Sequence, residues 1–381
     1  MAAVKKVLVA VAVAAFAAFI GHRFLKLKEM SLASRELTVK SLNCHYIKNI
    51  ECGAEDITIT KDGLAFLSTG LKYPFMPSFC DGPGKMYVLD LLHPKPTPVA
   101  LHITGKLDLA SFNPHGISVY ETDDSVYLFV VNHPHHNSQV EIFHFVEEDT
   151  LVHLKTVIHP LLHSVNDIVA VGAQSFYATN DHSFPSEALH ALGLLLGLAW
   201  CDVVFYSPEE VAVAASGFLS SNGINASPDK RYIYVSDIMD HDIDVFERHE
   251  GQQLKYIKSV GVGSLCDNIE VDHVTGDVWL GCHPNGMKLL KYDPEDPPGS
   301  EVSASPSTPS RPAPVAPVTV RLPPAGHPHP EHPVRCAGTE PRVRRRRPRD
   351  HGLHRGGSVQ GAAAHRLRVP QSPELHLLTA R

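Results

Sequence analysis

Residues 224–237, INASPDKRYIYVSD, read as two short strands joined by a tight turn. Pro228 and Asp229 suit the turn, and the β-branched and aromatic run Tyr232-Ile233-Tyr234-Val235 suits a pleated strand. The same grammar recurs in DITITKDGLAFLS (56–68), GISVYETDDSVYLFVVN (116–132), DIVAVGAQSFYATND (167–181) and IEVDHVTGDVWLGC (269–282). The repeats start roughly 50 residues apart, the interval of four-stranded blades, so the pattern predicts an all-β chain folded as a six-bladed β-propeller. A two-sheet sandwich is the alternative.

Working outward, the chain has 381 residues, 43% of them hydrophobic and 20% charged, enough to bury a core. Its net charge of -7 is unevenly spread: residues 1–302 carry -16 and residues 303–381 carry +9. Behind Lys5 and Lys6, residues 7–20 (VLVAVAVAAFAAFI) form an apolar run of signal-peptide length, followed by HRFLKLK. The reading is entry into the secretory pathway, with residues 1–33 either a cleaved signal or a retained anchor and the protein extracellular or membrane-associated. Residues 186–200 (SEALHALGLLLGLAW) interrupt the strand pattern as an apolar helix, in the core or facing lipid. Membrane or lipoprotein contact is therefore expected through 7–20 and 186–200. Seven cysteines without a CxxC pair argue against zinc; one disulfide and several free thiols are expected.

Acidic and amide residues recur where the inner strands begin: Glu55-Asp56, Asn166-Asp167, Asn222 and Asp267-Asn268. Inner strands of a propeller converge on one axis, and carboxylates gathered there repel unless a cation neutralises them. Oxygen-only donors including neutral amides point to calcium, although any single pair is as readily a turn cap. His115, His133 and His283 also occupy turns, and His115 and His133 flank one hairpin, where two imidazoles can meet and pass a proton.

Taken together, GAEDITI, GLAFLSTGLKYP, SFNPHGIS, VYLFVVNHP, VNDIVAVG, FYATNDH, SNGINASPDKRYIYVSD, CDNIEVD and GCHPNGMKLL resemble the paraoxonase/arylesterase family over residues 34–302. The resemblance implies a propeller with two calcium ions in a central tunnel and hydrolysis of lactones, aryl esters and, in some members, organophosphate triesters. By the same resemblance Glu55, Asn166, Asn222, Asp267 and Asn268 hold a catalytic calcium. Asp56, Asp167 and the Ile117 carbonyl hold a structural one. His115 and His133 form a base dyad, and Tyr73, Asp181, His182 and His283 line or support the pocket. The sequon Asn225-Ala226-Ser227 lies on a strand feeding the metal and is expected buried and unmodified.

The resemblance ends at Val302. Residues 303–381 lack Phe, Tyr, Trp, Ile and Met and are expected to be disordered and unable to build strands. Read one base later, 329–335 and 356–375 permit segments similar to the family's ending, which implies an out-of-frame final exon. The last blade is then incomplete, and the family's C-terminal disulfide partner of Cys44 is missing. The Arg run RVRRRRPR is too weak a motif to indicate nucleic acid in a chain with a secretory start. The competing expectations are a non-catalytic calcium propeller and an inactive product of the altered tail.

Overall fold

A computed structural model describes residues 2–34, 43–73, 80–146, 149–184, 186–249, 252–293, 295–296, 298–305, 316–320, 334–337 and 375–378. Each strand-turn-strand stretch becomes the two inner strands of one antiparallel sheet. Blade one is Ala54–Ile59, Leu64–Thr69, Lys85–Asp90 and Val99–Ala100. Blade two is Pro114–Glu121, Val126–Asn132, Gln139–Val146 and Thr150–Val157, with His102–Thr104 added in parallel at its outer edge. Blade three is Val165–Gly172, Ser175–Asn180, Cys201–Tyr206 and Val211–Phe218; blade four is Ser221–Ala226, Tyr232–Asp237, Asp242–Arg248 and Leu254–Gly261. Blade five is Leu265–Val271, Val278–His283, Ser300–Ser305 and Ala316–Val320.

Alternating side chains on both faces of each sheet make the core, which lies between blades. Phe129, Val131 and Ile142 of blade two pack on Ile168, Phe176 and Val204 of blade three. Tyr177, Val203 and Phe205 of blade three pack on Ile233, Val235 and Phe246 of blade four. Such layers are stable only when each sheet has a neighbour on both sides.

The innermost strands form a ring joined at every step. Ile117 N–H donates to Asp56 Oδ2 (2.7 Å), Ala170 N–H to Ser118 Oγ (3.0 Å) and Ile224 N–H to Asp167 Oδ2 (2.8 Å). Asn225 Nδ2 donates to Ile269 O (2.8 Å), and Asn268 Nδ2 closes the circle on Glu55 O (2.9 Å). The Asn225 amide, expected to be buried, is half-buried and engaged by the neighbouring strand.

The described residues build five blades; the sixth, expected to be incomplete in this chain, is not seen among them, and Asn268 of the fifth blade bonds Glu55 O of the first. One expectation is corrected. The stretch expected to lack strands carries three, Ala316–Val320, Val334–Ala337 and Leu375–Leu378. Valine in APVTV and leucine in LHLL suffice for short pairings. The first completes blade five; the other two form a three-stranded sheet with Asn43–Tyr46, in which Cys336 is the register partner of Cys44. The motifs on which the out-of-frame reading rests lie largely outside the described residues.

Helix α1, Ala2–Met30, is long and apolar enough to cross a membrane. Its C-terminal end is sewn to the propeller: His241 Nε2 pairs with Met30 O (2.7 Å), and Gly286 N–H donates to Ser31 O (2.9 Å). Helix α2, Glu187–Leu196, ends at Gly197 in the left-handed region, and Arg23 Nε of α1 donates to Leu195 O (2.7 Å). Leu189, Leu192 and Trp200 are exposed beside it.

Candidate active site

Every innermost strand slips register at the same place. The shifts fall between Ala54 and Ile57, Pro114 and Ile117, Val165 and Ile168, Ser221 and Ile224, and Cys266 and Ile269. In each, three steps on the inner strand face two on its neighbour, a one-residue bulge, and bulges re-aim side chains. The residues inside them are Glu55-Asp56, His115-Gly116, Asn166-Asp167, Asn222-Gly223 and Asp267-Asn268. The ligand candidates and the first histidine are therefore one structural position repeated five times, each pair followed by isoleucine. Two of the pairs use glycine because the next blade is too close for a Cβ. On Gly116 it would meet Asp167 and come within 2.7 Å of Asn166 O, and on Gly223 it would meet Asp267 O and lie 2.9 Å from Asn268 Cα.

Opposite the base of each bulge stand Thr69, Asn132, Asn180, Asp237 and Cys282. In three blades that side chain caps the backbone entering the bulge. Asn132 Oδ1 accepts from Asn113 N (2.9 Å), Asn180 Oδ1 from Ser164 N (3.2 Å) and Asp237 Oδ1 from Ser220 N (3.0 Å). The residues that follow Asn132, Asn180 and Cys282 are His133, Asp181 and His283.

His115 Nδ1 lies 3.0 Å from His133 Nε2, and His115 Nε2 lies 3.4 Å from Glu55 Oε1. Ser138 Oγ is 3.3 Å from His133 Nδ1 and accepts from Val165 N (2.9 Å), tying the pair to the strand that carries Asn166. Asn113 joins the neighbourhood together: its Oδ1 accepts from Lys72 N (2.7 Å), and its Nδ2 donates to Lys72 O (2.9 Å) and His133 O (3.4 Å). Tyr73 OH donates to Asp181 Oδ2 (2.9 Å), and His182 Nδ1 pairs with Asp181 Oδ1 (2.5 Å). His283 Nε2 pairs with Asp267 Oδ2 (3.0 Å). Burial pushes Asp181 upward, but His182, His115 and Tyr73 together outweigh it and hold its carboxyl well below the usual range.

Asp56 and Asp167 behave oppositely. Burial raises both well above the ordinary carboxylate value, and for Asp56 the neighbouring Asp167 and Glu55 add to the rise. Such a group ionises only beside a positive charge. Among the described residues no three His, Cys, Asp or Glu side chains are arranged to hold a metal by themselves. The amide oxygens fill that gap: Asn166 Oδ1, Asn222 Oδ1 and Asn268 Oδ1 are buried with no hydrogen-bond partner among the described residues. Leaving such an oxygen unpaired costs about 1–3 kcal/mol, so three of them on three blades beside carboxylates fit a hard cation.

A cavity of about 760 Å³ adjoins the histidine pair, walled by Lys72, Tyr73, His133, Ser138, His163 and His182 among others. Of the residues read from sequence, Tyr73, Asp181 and His182 form one linked group, and Asp267 and His283 another. Asn113, Asn132, Asn180 and Ser138 carry no motif of their own. Their signal is position, since Asn132 and Asn180 each end a strand immediately before a site residue, in VVNH and ATND.

An arylesterase family model matches residues 36–314. The chain belongs to the arylesterase family. This membership makes it a carboxylic-ester hydrolase. Serum paraoxonase/arylesterase 2 of Gallus gallus is 54% identical over 301 residues, covering 78% of this chain and 85% of that one. Serum paraoxonase/arylesterase 2 of Homo sapiens is 54% identical over 289 residues (75% and 82%), and human serum paraoxonase/lactonase 3 is 52% identical over 287 (74% and 81%).

Among the described side chains Cys52–Cys80 and Cys266–Cys282 are disulfides and Cys201 is a buried free thiol, so two bridges are seen where one was expected. Disulfides and the apolar N-terminal helix are compatible with a secretory route.

Proposed function

We propose that this arylesterase-family chain hydrolyses lactones and aryl esters with the aid of two calcium ions. Glu55, Asn166, Asn222, Asp267 and Asn268 would hold one ion, and Asp56, Asp167 and the Ile117 carbonyl the other. The observation that carries the reading is the set of three partnerless amide oxygens on separate blades, beside Glu55 and a histidine pair 3.0 Å apart. Bound calcium polarises an ester carbonyl and offsets the negative charge that develops on its oxygen.

The chain's own residues do the rest. His115 takes a proton from the attacking water, and His133, oriented by Ser138 and Asn113, shares the charge that His115 acquires. The cavity beside the dyad receives the acyl or leaving group. Helices α1 and α2, linked through Arg23, present an apolar face to lipid or lipoprotein, and His190 of α2 packs on His182 of the cavity wall.

The test is hydrolysis of a lactone and of phenyl acetate by the intact chain, by chelator-treated chain and by His115→Gln. Chelation should abolish turnover and calcium restore it; His115→Gln should lower kcat about 10²–10⁴-fold. Turnover that survives both treatments refutes the mechanism.

A further inference from the structure

Three of the five bulges have a side chain that caps the backbone ahead of them; the fifth is held differently. Where Asn132, Asn180 and Asp237 cap the backbone ahead of their bulges, blade five has Cys282, and among the described residues no side chain accepts from the backbone there. Instead Cys282 is covalently joined to its register partner Cys266, both sulfurs being buried. The bond sits at a particular address. Cys266 immediately precedes Asp267 and Asn268, Cys282 immediately precedes His283, and Asp267 and His283 are themselves paired at 3.0 Å.

We propose that the Cys266–Cys282 disulfide is the clamp of the fifth bulge, a pair of positioning residues that fixes Asp267, Asn268 and His283 for the metal site. The proposal rests on the calcium reading for its consequence and on the strand register for its geometry. A two-residue span between strands can slip or flatten when its base is free, and a one-residue slip sends every side chain to the other face. Asp267 and Asn268 occupy that span, so loosening it costs the cation two of its five proposed donors at once.

The register also supplies a rescue. Blade three performs the same task with Val165 at the bulge base and Asn180 opposite it, so Cys266→Val with Cys282→Asn rebuilds the hydrogen-bonded clamp in place of the covalent one. The intact chain, Cys266→Ala/Cys282→Ala and Cys266→Val/Cys282→Asn would be compared by calorimetric titration with calcium alone. Amide hydrogen exchange of residues 265–271 and 278–283 would be followed in metal-free protein. Alkylation of the unfolded chain with and without prior reduction reports the bond.

The alanine pair should bind calcium about 10–100-fold more weakly, the order found for residues that orient metal ligands, and the Val/Asn pair should recover most of that loss. Exchange around 265–271 should quicken in the alanine pair and slow again in the Val/Asn pair, with thermal unfolding of the two variants alike. Free thiols at 266 and 282 in the native chain, or calcium affinity and exchange unchanged in the alanine pair, would overturn the proposal. An intact chain that binds no calcium while the exchange pattern holds would refute the calcium reading and leave the clamp standing.

Discussion

Replacing Asp237 by asparagine isolates one term in the acid–base balance of the fold. Asp237 is 3% exposed, opposite the bulge base Ser221, and accepts from Leu219 N (2.7 Å) and Ser220 N (3.0 Å). Burial, reinforced by Asp240 and Asp244, outweighs those donors and pushes its carboxyl from 3.8 up to about 6. A carboxyl that binds its proton more tightly when folded contributes stability that is complete below the unfolded value, falls as pH rises toward the folded value and is flat above it. A shift of about two units at 1.36 kcal/mol each makes the ionised form cost about 3 kcal/mol at neutral pH. Asparagine, already used at this position by Asn132 and Asn180, keeps the cap to Ser220 but loses an acceptor for Leu219, at about 1 kcal/mol. Asp237→Asn should therefore be slightly less stable than the parent near pH 4 and about 2 kcal/mol more stable near pH 7. Urea unfolding followed by tryptophan fluorescence at half-unit intervals, read as variant minus parent, checks this because other titrations cancel. A difference flat in pH, or one favouring asparagine more as pH falls, would mean that the two N–H donors keep Asp237 ionised throughout.

Gly116→Ala drives a Cβ against Asp167 and Asn166 of the next blade, a backbone clash expected to cost about 1–3 kcal/mol and to weaken calcium binding; an unchanged melting temperature with normal titration would contradict the close approach. Asn113→Asp keeps the shape of the side chain but faces the Lys72 and His133 carbonyls with an acceptor, so kcat should fall by up to roughly 100-fold with KM little changed, since a small displacement of His133 is enough. Burial pushes the Cys201 thiol up to about 12, and it should resist iodoacetamide in the native chain at pH 8 yet label at once in denaturant.

The sequence exposed the blades and the site residues for the same reason and hid the rest for another. A strand-turn-strand stretch is a local pattern, and an acid or amide at the head of an inner strand is a chemical oddity visible in one dimension, so Glu55, Asp167 and Asn268 stand out. What makes them converge is a bulge, defined only by two strands together: AEDI, PHGI, VNDI, SNGI and CDNI become equivalent once their partners Thr69, Asn132, Asn180, Asp237 and Cys282 are in register. The repeat interval makes each blade legible, and the described residues supply five of them, with Asn268 of the fifth bonded to Glu55 O of the first. The cysteines misled for a related reason. Spacing in sequence shows no pair at 266 and 282, yet a hairpin brings them face to face, beside the two residues whose pairing defines that edge of the site. The bulge is therefore the unit that evolution can edit in this fold: its two inner residues choose the chemistry, the residue opposite its base chooses how firmly that chemistry is held, and in blade five that residue is covalently bonded to the base itself.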